Sequence, residues 1–348
     1  MKNKTNIFCA QLICAIFRLR SKRNTLSFFL LAIIMSFNQL AYSQSTFIPD
    51  NNFEQALINL GYDTLPLNNM VPTANIQNVQ QLNISDRNIS NLTGIEDFTS
   101  LANLNCSGNN LTVLDVSNNL NLSTLNCHSN LLTSLDLSNN PNVFSLLCNN
   151  NNISDLNVSA NFLLTEINCS NNALETLSIQ NNMQLIKLNC SSNDLSSINV
   201  ENNPWLKELV CNSNQLQDLN VENNHRLEVL NCNSNSLSEL NVDFNIELKI
   251  LLCGFNRLNH LLLTNNENLL SLSIYDNQIN EIDLSNNNLL RQLYSYDNPL
   301  EELLLYNNVA LTHLSCGNNL LTHLDVSLNN YLTYLNCINN YISELDLS

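Results

Sequence analysis

Positive charge is scarce in this chain. Thirteen Lys and Arg stand against 30 Asp and Glu, a formal net charge of −17, and charged residues of both signs make up only 12%. A surface this acidic repels phosphate backbones and anionic headgroups, which argues against nucleic acid and bilayers as partners. Glycine is scarcer still, with 5 in 348 residues. None sits in a phosphate-cradling loop or a Gly-x-Ser-x-Gly elbow. His-Glu-x-x-His does not occur, and His260, His313 and His323 lack a third ligand at zinc spacing. His128 follows Cys127 directly, but strand neighbours point to opposite faces, so they form no thiol–imidazole pair. No catalytic group, metal site or cofactor loop is read from these residues, and the chain is expected not to be an enzyme.

Long apolar runs are absent beyond the first forty-odd residues. Lys2, Lys4, Arg18, Arg20, Lys22 and Arg23 precede the single exception, "LSFFLLAIIMSF" (26–37), and "AYSQ" follows it. That order reads as a secretory signal peptide over 1–43, cut before Gln44. A membrane anchor is the competing reading, for which the run is short. Removing the segment takes the formal net charge from −17 to about −23 and discards Cys9 and Cys14. The mature protein is then expected to be secreted or held at the cell surface, with no membrane insertion.

What remains is repetition. From Leu101 the unit L-x-x-L-x-C-x-x-N-x-L-x-x-L-x-L/V-x-x-N-x-x recurs every 21 residues. Its cysteine column holds Cys106, Cys127, Cys148, Cys169, Cys190, Cys211, Cys232, Cys253, Cys316 and Cys337, with Ile274 and Ser295 filling the two gaps. Its first asparagine column is unbroken: Asn109, Asn130, Asn151, Asn172, Asn193, Asn214, Asn235, Asn256, Asn277, Asn298, Asn319 and Asn340. A second runs from Asn119 to Asn329. A fixed period of this length means a solenoid, one turn per unit. Leu104 and Cys106 alternate with Asn103 and Asn105, the two-residue period of a strand with one buried face. Leu114 and Val116 repeat the alternation. The expected fold is a rod of about 12–13 turns, with short parallel strands stacked on two walls about 4.8 Å per turn.

Each recurring polar residue has a physical reason. The asparagines are expected to pair backbone groups at each corner, bridge to the next turn and supply the left-handed conformation that tight turns need. The thiols are read as small hydrophobes in a narrow slot. Disulfides compete with that reading because export is expected, but Cβ vectors on adjacent rungs run parallel. Metal or redox roles are a third, weaker alternative.

These residues resemble the leucine-rich repeat family, in its nested 21-residue bacterial class, over residues 82 to 348. The stretch "LNISDRNISNLTGIEDFTSL" (82–101) is one residue longer, similar to the 22-residue unit of internalin-like proteins. Before it, "FIPDNNFEQALINLGYDT" (47–64) is similar to the N-terminal cap of secreted Bacteroidetes-type repeat proteins. Residues 44–81 are therefore expected to form a cap with a helix near 51–60 and a linking segment. Asp50 or Asn51 would cap the helix, with Glu54 at the third position if Asn51 is the cap, and Phe53, Leu57 and Leu60 would form its apolar stripe. Gly61 would stop it, and the helix would cover the first coil's edge. The resemblance also implies further coils, a cap or a sorting domain after "ISELDLS".

Outward positions carry the candidates for recognition. Asp115, Asp136, Asp283, Asp325 and Asp346 share one column, with Asp218, Glu239, Glu281, Glu302 and Glu344 two positions earlier. They read as a solvated wall, or as weak calcium ligands. On the cysteine-bearing wall, Tyr275, Tyr294, Tyr296, His313 and Tyr334 cluster where the cysteine column breaks. Tyrosine offers area and a hydroxyl at small entropic cost, so the cluster is the candidate ligand site; tyrosine pairs stabilising an exposed ladder are the plainer alternative. The function expected is non-catalytic recognition of a protein through outward strand faces, or of a polysaccharide through the tyrosines as an adhesin or matrix protein.

Overall fold

The structure, a computed structural model, describes residues 44–343, 345 and 346, and the residues from Thr46 onward form one compact unit. The signal segment lies outside the described residues. Among those described, no helix is long and apolar enough to cross a membrane.

One wall of each turn is a three-residue strand. These strands form a single 13-stranded parallel sheet running from Gln81–Asn83 to Tyr334–Asn336. Register follows the period, with Lys187 beside Glu208 and Leu188 beside Leu209. Only the first step, Gln81 to Asn103, is one residue longer. The hydrogen-bond ladder continues past each strand, since Cys106 N–H donates to the Asn126 carbonyl at 2.9 Å and Ser129 N–H to that of Asn149 at 2.9 Å.

The second wall differs from the expectation of a full strand stack. Among the described residues, strands form there only as Ser134–Asp136 with Asp155–Asn157, and Leu324–Asp325 with Leu345–Asp346. Just past this wall, each turn closes on its own backbone. Asn119 N–H donates to the Val116 carbonyl at 2.9 Å, Leu122 N–H to that of Asn119 at 3.0 Å, and Ser117 N–H to Asp115 Oδ1 at 2.9 Å. The same bonds recur beside the strand Ser134–Asp136, where Ser138 N–H donates to Asp136 Oδ1 and Asn140 N–H to the Leu137 carbonyl, so they close the corner without deciding which turns pair. Leu114 and Val116 nevertheless point inward and are buried, as are Leu101, Leu104, Cys106 and Leu111 of the same turn.

Two asparagine columns sew the turns together. Asn130 Nδ2 donates to the carbonyls of Cys106 (3.0 Å) and Cys127 (3.1 Å), while its Oδ1 accepts from Leu111 N–H at 3.0 Å. That set recurs around Asn193 and every other member described. The second column is buried more deeply: Asn203 Nδ2 donates to Ile179 (3.2 Å) and Asn182 (2.9 Å), and its Oδ1 has no partner. The left-handed residue is not the ladder asparagine, as expected from sequence, but its predecessor. Ser129, Asn150, Asp276 and Asn339 all take φ between 52° and 55° there.

The N-terminal helix spans Asn51–Asn59 with Asp50 as its cap. Asp50 Oδ1 accepts from Asn52 and Phe53 N–H, and its other oxygen accepts from Ser90 and Asn91, which ties the helix to the first turn. Those hydrogen bonds hold its carboxyl below the usual range despite partial burial, which acts the other way. Phe53 stacks on Phe98 at 6.3 Å. Glu54 makes no capping box; buried, it accepts from Asn68 and Asn69 N–H at 2.7 and 3.0 Å. Leu60 departs from the expected stripe: it is the C-cap residue and lies exposed, and Ala56 takes the inner position.

Candidate functional site

The ten ladder cysteines are free thiols, nine buried and Cys337 half-buried. Burial pushes Cys106, Cys190, Cys253 and Cys316 up to about 12 from 9.0, and neighbouring thiols add to it at Cys316. Only thiolate attacks or ligates, so groups held this firmly protonated are poor nucleophiles and poor ligands. Ile274 and Ser295 occupy the same slot, both fully buried, and the Ser295 hydroxyl has no partner.

The acidic column on the second wall turns onto its own backbone. Asp115, Asp136, Asp283 and Asp325 each accept from the serine two residues on. Hydrogen bonds from those serines hold all four carboxyls below their ordinary range. Their oxygens are engaged in closing turns. Among the described residues no group of three or more His, Cys, Asp or Glu is placed to hold a metal ion.

The outward residues of the sheet wall come together as anticipated only in part. Tyr294, Tyr296, His313 and Tyr334 line a recess of about 440 Å³ with Ser315 and Asn336. Tyr275 is not in its lining. It stacks on Tyr296 instead, with ring centres 4.8 Å apart and planes 5° off parallel. His313 stacks on Tyr334 at 6.1 Å. Burial, Tyr275 and the carboxylates of Asp297 and Asp276 raise the Tyr296 phenol above its usual value.

Two further residues complete this surface. Phe255 meets the edge of Tyr275 at 6.1 Å and is exposed, at φ 56° in the left-handed column otherwise filled by small or polar residues. Gly254 is the floor beneath Tyr275: a Cβ there would stand 2.6 Å from the ring. Phe255 was legible as a break in its column, since it interrupts Ser, Asn, Asp and Gly; Gly254 was not, because its column also holds Gly317.

The functional domain of InlJ from Listeria monocytogenes, described as including a cysteine ladder, has a similar structure. It matches at TM-score 0.76 and 30% identity, over 88% of this chain and 73% of that one. The chain belongs to the leucine-rich repeat family. A leucine-rich repeat protein of Leptospira interrogans is also similar, at TM-score 0.71 and 26% identity, covering 82% of this chain and 78% of that one. An internalin of Listeria monocytogenes, InlF, shares the fold at TM-score 0.68 and 23% identity, over 87% and 96% of the two chains. A scan of protein-family models and a search of curated proteins found no match. The similar structures are of the bacterial internalin type, solenoids of turns about 21 residues long.

Leucine-rich repeat proteins offer a rigid ladder of outward side chains, one set per turn, rather than a closed pocket. Here the first nine sets on the sheet wall are mainly Asn, Ser, Thr, Glu and Lys, and the aromatic sets follow from Phe255. Exposed ion pairs punctuate the polar part, with Lys207 and Lys249 flanking Glu228 at 2.9 and 2.7 Å. Hydrogen bonds from those lysines hold the Glu228 carboxyl down to about 2.

Proposed function

We propose that this leucine-rich repeat protein is a non-catalytic recognition rod, exported to the cell surface or released. It would bind a protein partner through the aromatic stretch of its sheet wall. The observation that carries the reading is the joined surface of Phe255, Tyr275, Tyr296, Tyr294, His313 and Tyr334, which stand on successive turns of one rigid sheet. Aromatic rings fixed by stacking lose little entropy on binding, and such residues dominate the energetics of interfaces. Asp276 and Asp297 beside the rings favour a partner that presents cationic side chains, which also pack well on tyrosine faces. Similarity to internalin-type structures supports the reading.

Tyrosine platforms also stack sugars, so an adhesin or matrix protein that binds polysaccharide is the second reading. A glycan array run alongside a protein pull-down separates the two. The site itself is tested by replacing Tyr275, Tyr294 and Tyr296 with Ser together. The expected outcome is an unchanged circular dichroism spectrum, a melting point within a few degrees, and loss of capture. If the triple variant unfolds, the rings are structural and the site is wrong.

A further inference from the structure

The second wall carries a groove lined by leucines and acidic side chains in its C-terminal turns, on a wall separate from the tyrosine surface. Its outer column normally holds Asp or Asn, whose side chain folds down onto the backbone two residues on. Leu262 and Leu304 break that column, and both stand exposed. Along the rod it therefore reads Leu262, Asp283, Leu304, Asp325, tall and short in alternation. Two recesses result. One, of about 540 Å³, lies over the Asp283 turn between the two leucines. The other, of about 610 Å³, lies over the Asp325 turn and is closed by Leu328 and Tyr341. Leu304, Tyr306 and Glu302 line both and form the ridge between them.

Charge and spacing define the occupant. Glu281, Asp283, Glu301, Glu302 and Asp325 surround the recesses, and among the described residues no Lys or Arg lines either one. None of the three glutamates pairs with a cation among the described residues, so the rim attracts positive charge. The same acidity disfavours a second copy of this chain, which carries a formal net charge of −17. The recesses sit two turns apart, about 10 Å at the spacing of stacked strands, which matches three residues of a polyproline II segment at about 3.1 Å each, where every third side chain faces the same way.

We propose that this groove binds a segment of a partner protein in the polyproline II conformation, with apolar side chains three residues apart and Lys or Arg between them. The apolar side chains enter the recesses on either side of Leu304, and the cations meet the glutamates of the rim.

The test uses a fluorescein-labelled Lys-Leu-Lys-Lys-Leu-Lys peptide and the whole protein, read by fluorescence anisotropy. Expected is saturable binding that weakens as salt is raised, with no binding of the Glu-for-Lys analogue. Leu304→Asp is the decisive variant, because Asp is what neighbouring turns carry at that place and the fold tolerates it. It adds negative charge yet is expected to weaken binding at least tenfold. The Tyr275, Tyr294 and Tyr296 variant is expected to bind normally. Equal or tighter binding by Leu304→Asp, equal binding of an all-lysine peptide, or absence of saturable binding overturns the proposal. So does loss of binding in the tyrosine variant, which places the peptide on the other wall. A dimer that dissolves in Leu304→Asp assigns the groove to self-association and overturns it too.

Discussion

At the scale of single residues, Phe255 is the clearest conflict between local and global demands. A side chain with a Cβ in the left-handed region costs roughly 1–2 kcal/mol, least for Asn and Asp. Every other turn puts a small or polar residue there, and Phe255 alone puts a ring, which reaches the edge of Tyr275. The edge contact returns only part of that cost at an exposed position. Phe255→Asn is therefore expected to raise stability by about 0.5–1 kcal/mol in urea titration. A fall in stability would show that the ring is structural. Such residues escape a reading of the repeat, because periodicity reports the columns that agree. Phe255 and Leu304 become visible only when outward columns are aligned and searched for the member that disagrees. Leu60 was misplaced for a different reason. Helical spacing assigns it to the inner face, but it ends the helix, where the backbone turns away.

At the scale of one turn, the two corners are not equal. Asn193 satisfies the carbonyls of Cys169 and Cys190 and gives Leu174 N–H its acceptor. Asn203 satisfies two carbonyls and leaves its own oxygen unpartnered. Replacing Asn193 by Leu orphans the Leu174 N–H, at about 1–3 kcal/mol, and takes from the Cys169 and Cys190 carbonyls one of their two asparagine donors, Asn172 and Asn214 being left. Asn193→Leu is expected to cost more than Asn203→Leu, with both losing several kcal/mol in equilibrium unfolding. The reverse order would mean that burial, rather than the count of partners, decides. The asparagine columns were plain in the sequence because a fixed 21-residue interval leaves no other reading. The pairing of the second wall was not. Alternation of Leu114 and Val116 says which side is buried, and says nothing of which turns pair. The Asx and β-turns that close each corner recur beside paired and unpaired turns alike.

At the scale of the whole molecule, the thiol row couples stability to pH. Unfolded, these groups titrate near 9.0; folded, burial holds Cys106, Cys190, Cys253 and Cys316 near 12 and raises Cys127, Cys148, Cys169, Cys211 and Cys232 too. Above pH 9 the unfolded chain loses protons that the folded chain keeps, so stability is whole below that pH and falls as pH rises toward 12. Each buried thiol contributes about 1.4 kcal/mol per pH unit, and the row on the order of 10 kcal/mol. Cooperative unfolding is expected within about two pH units above 9, and replacing Cys190 by Ala shifts that transition upward. A melting point flat through pH 11 would mean that the thiols are wet.

Everything rests on a dry interior built from stacked leucines and protonated sulfurs. The direct measurement is thiol labelling of the native, unreduced protein, followed residue by residue by mass spectrometry. Cys337, half-buried just after the strand Tyr334–Asn336, is expected to react first, and the nine buried thiols only as the protein unfolds. Fast labelling of Cys190 or Cys211 in the folded protein, or a peptide map that finds them joined, would contradict the account.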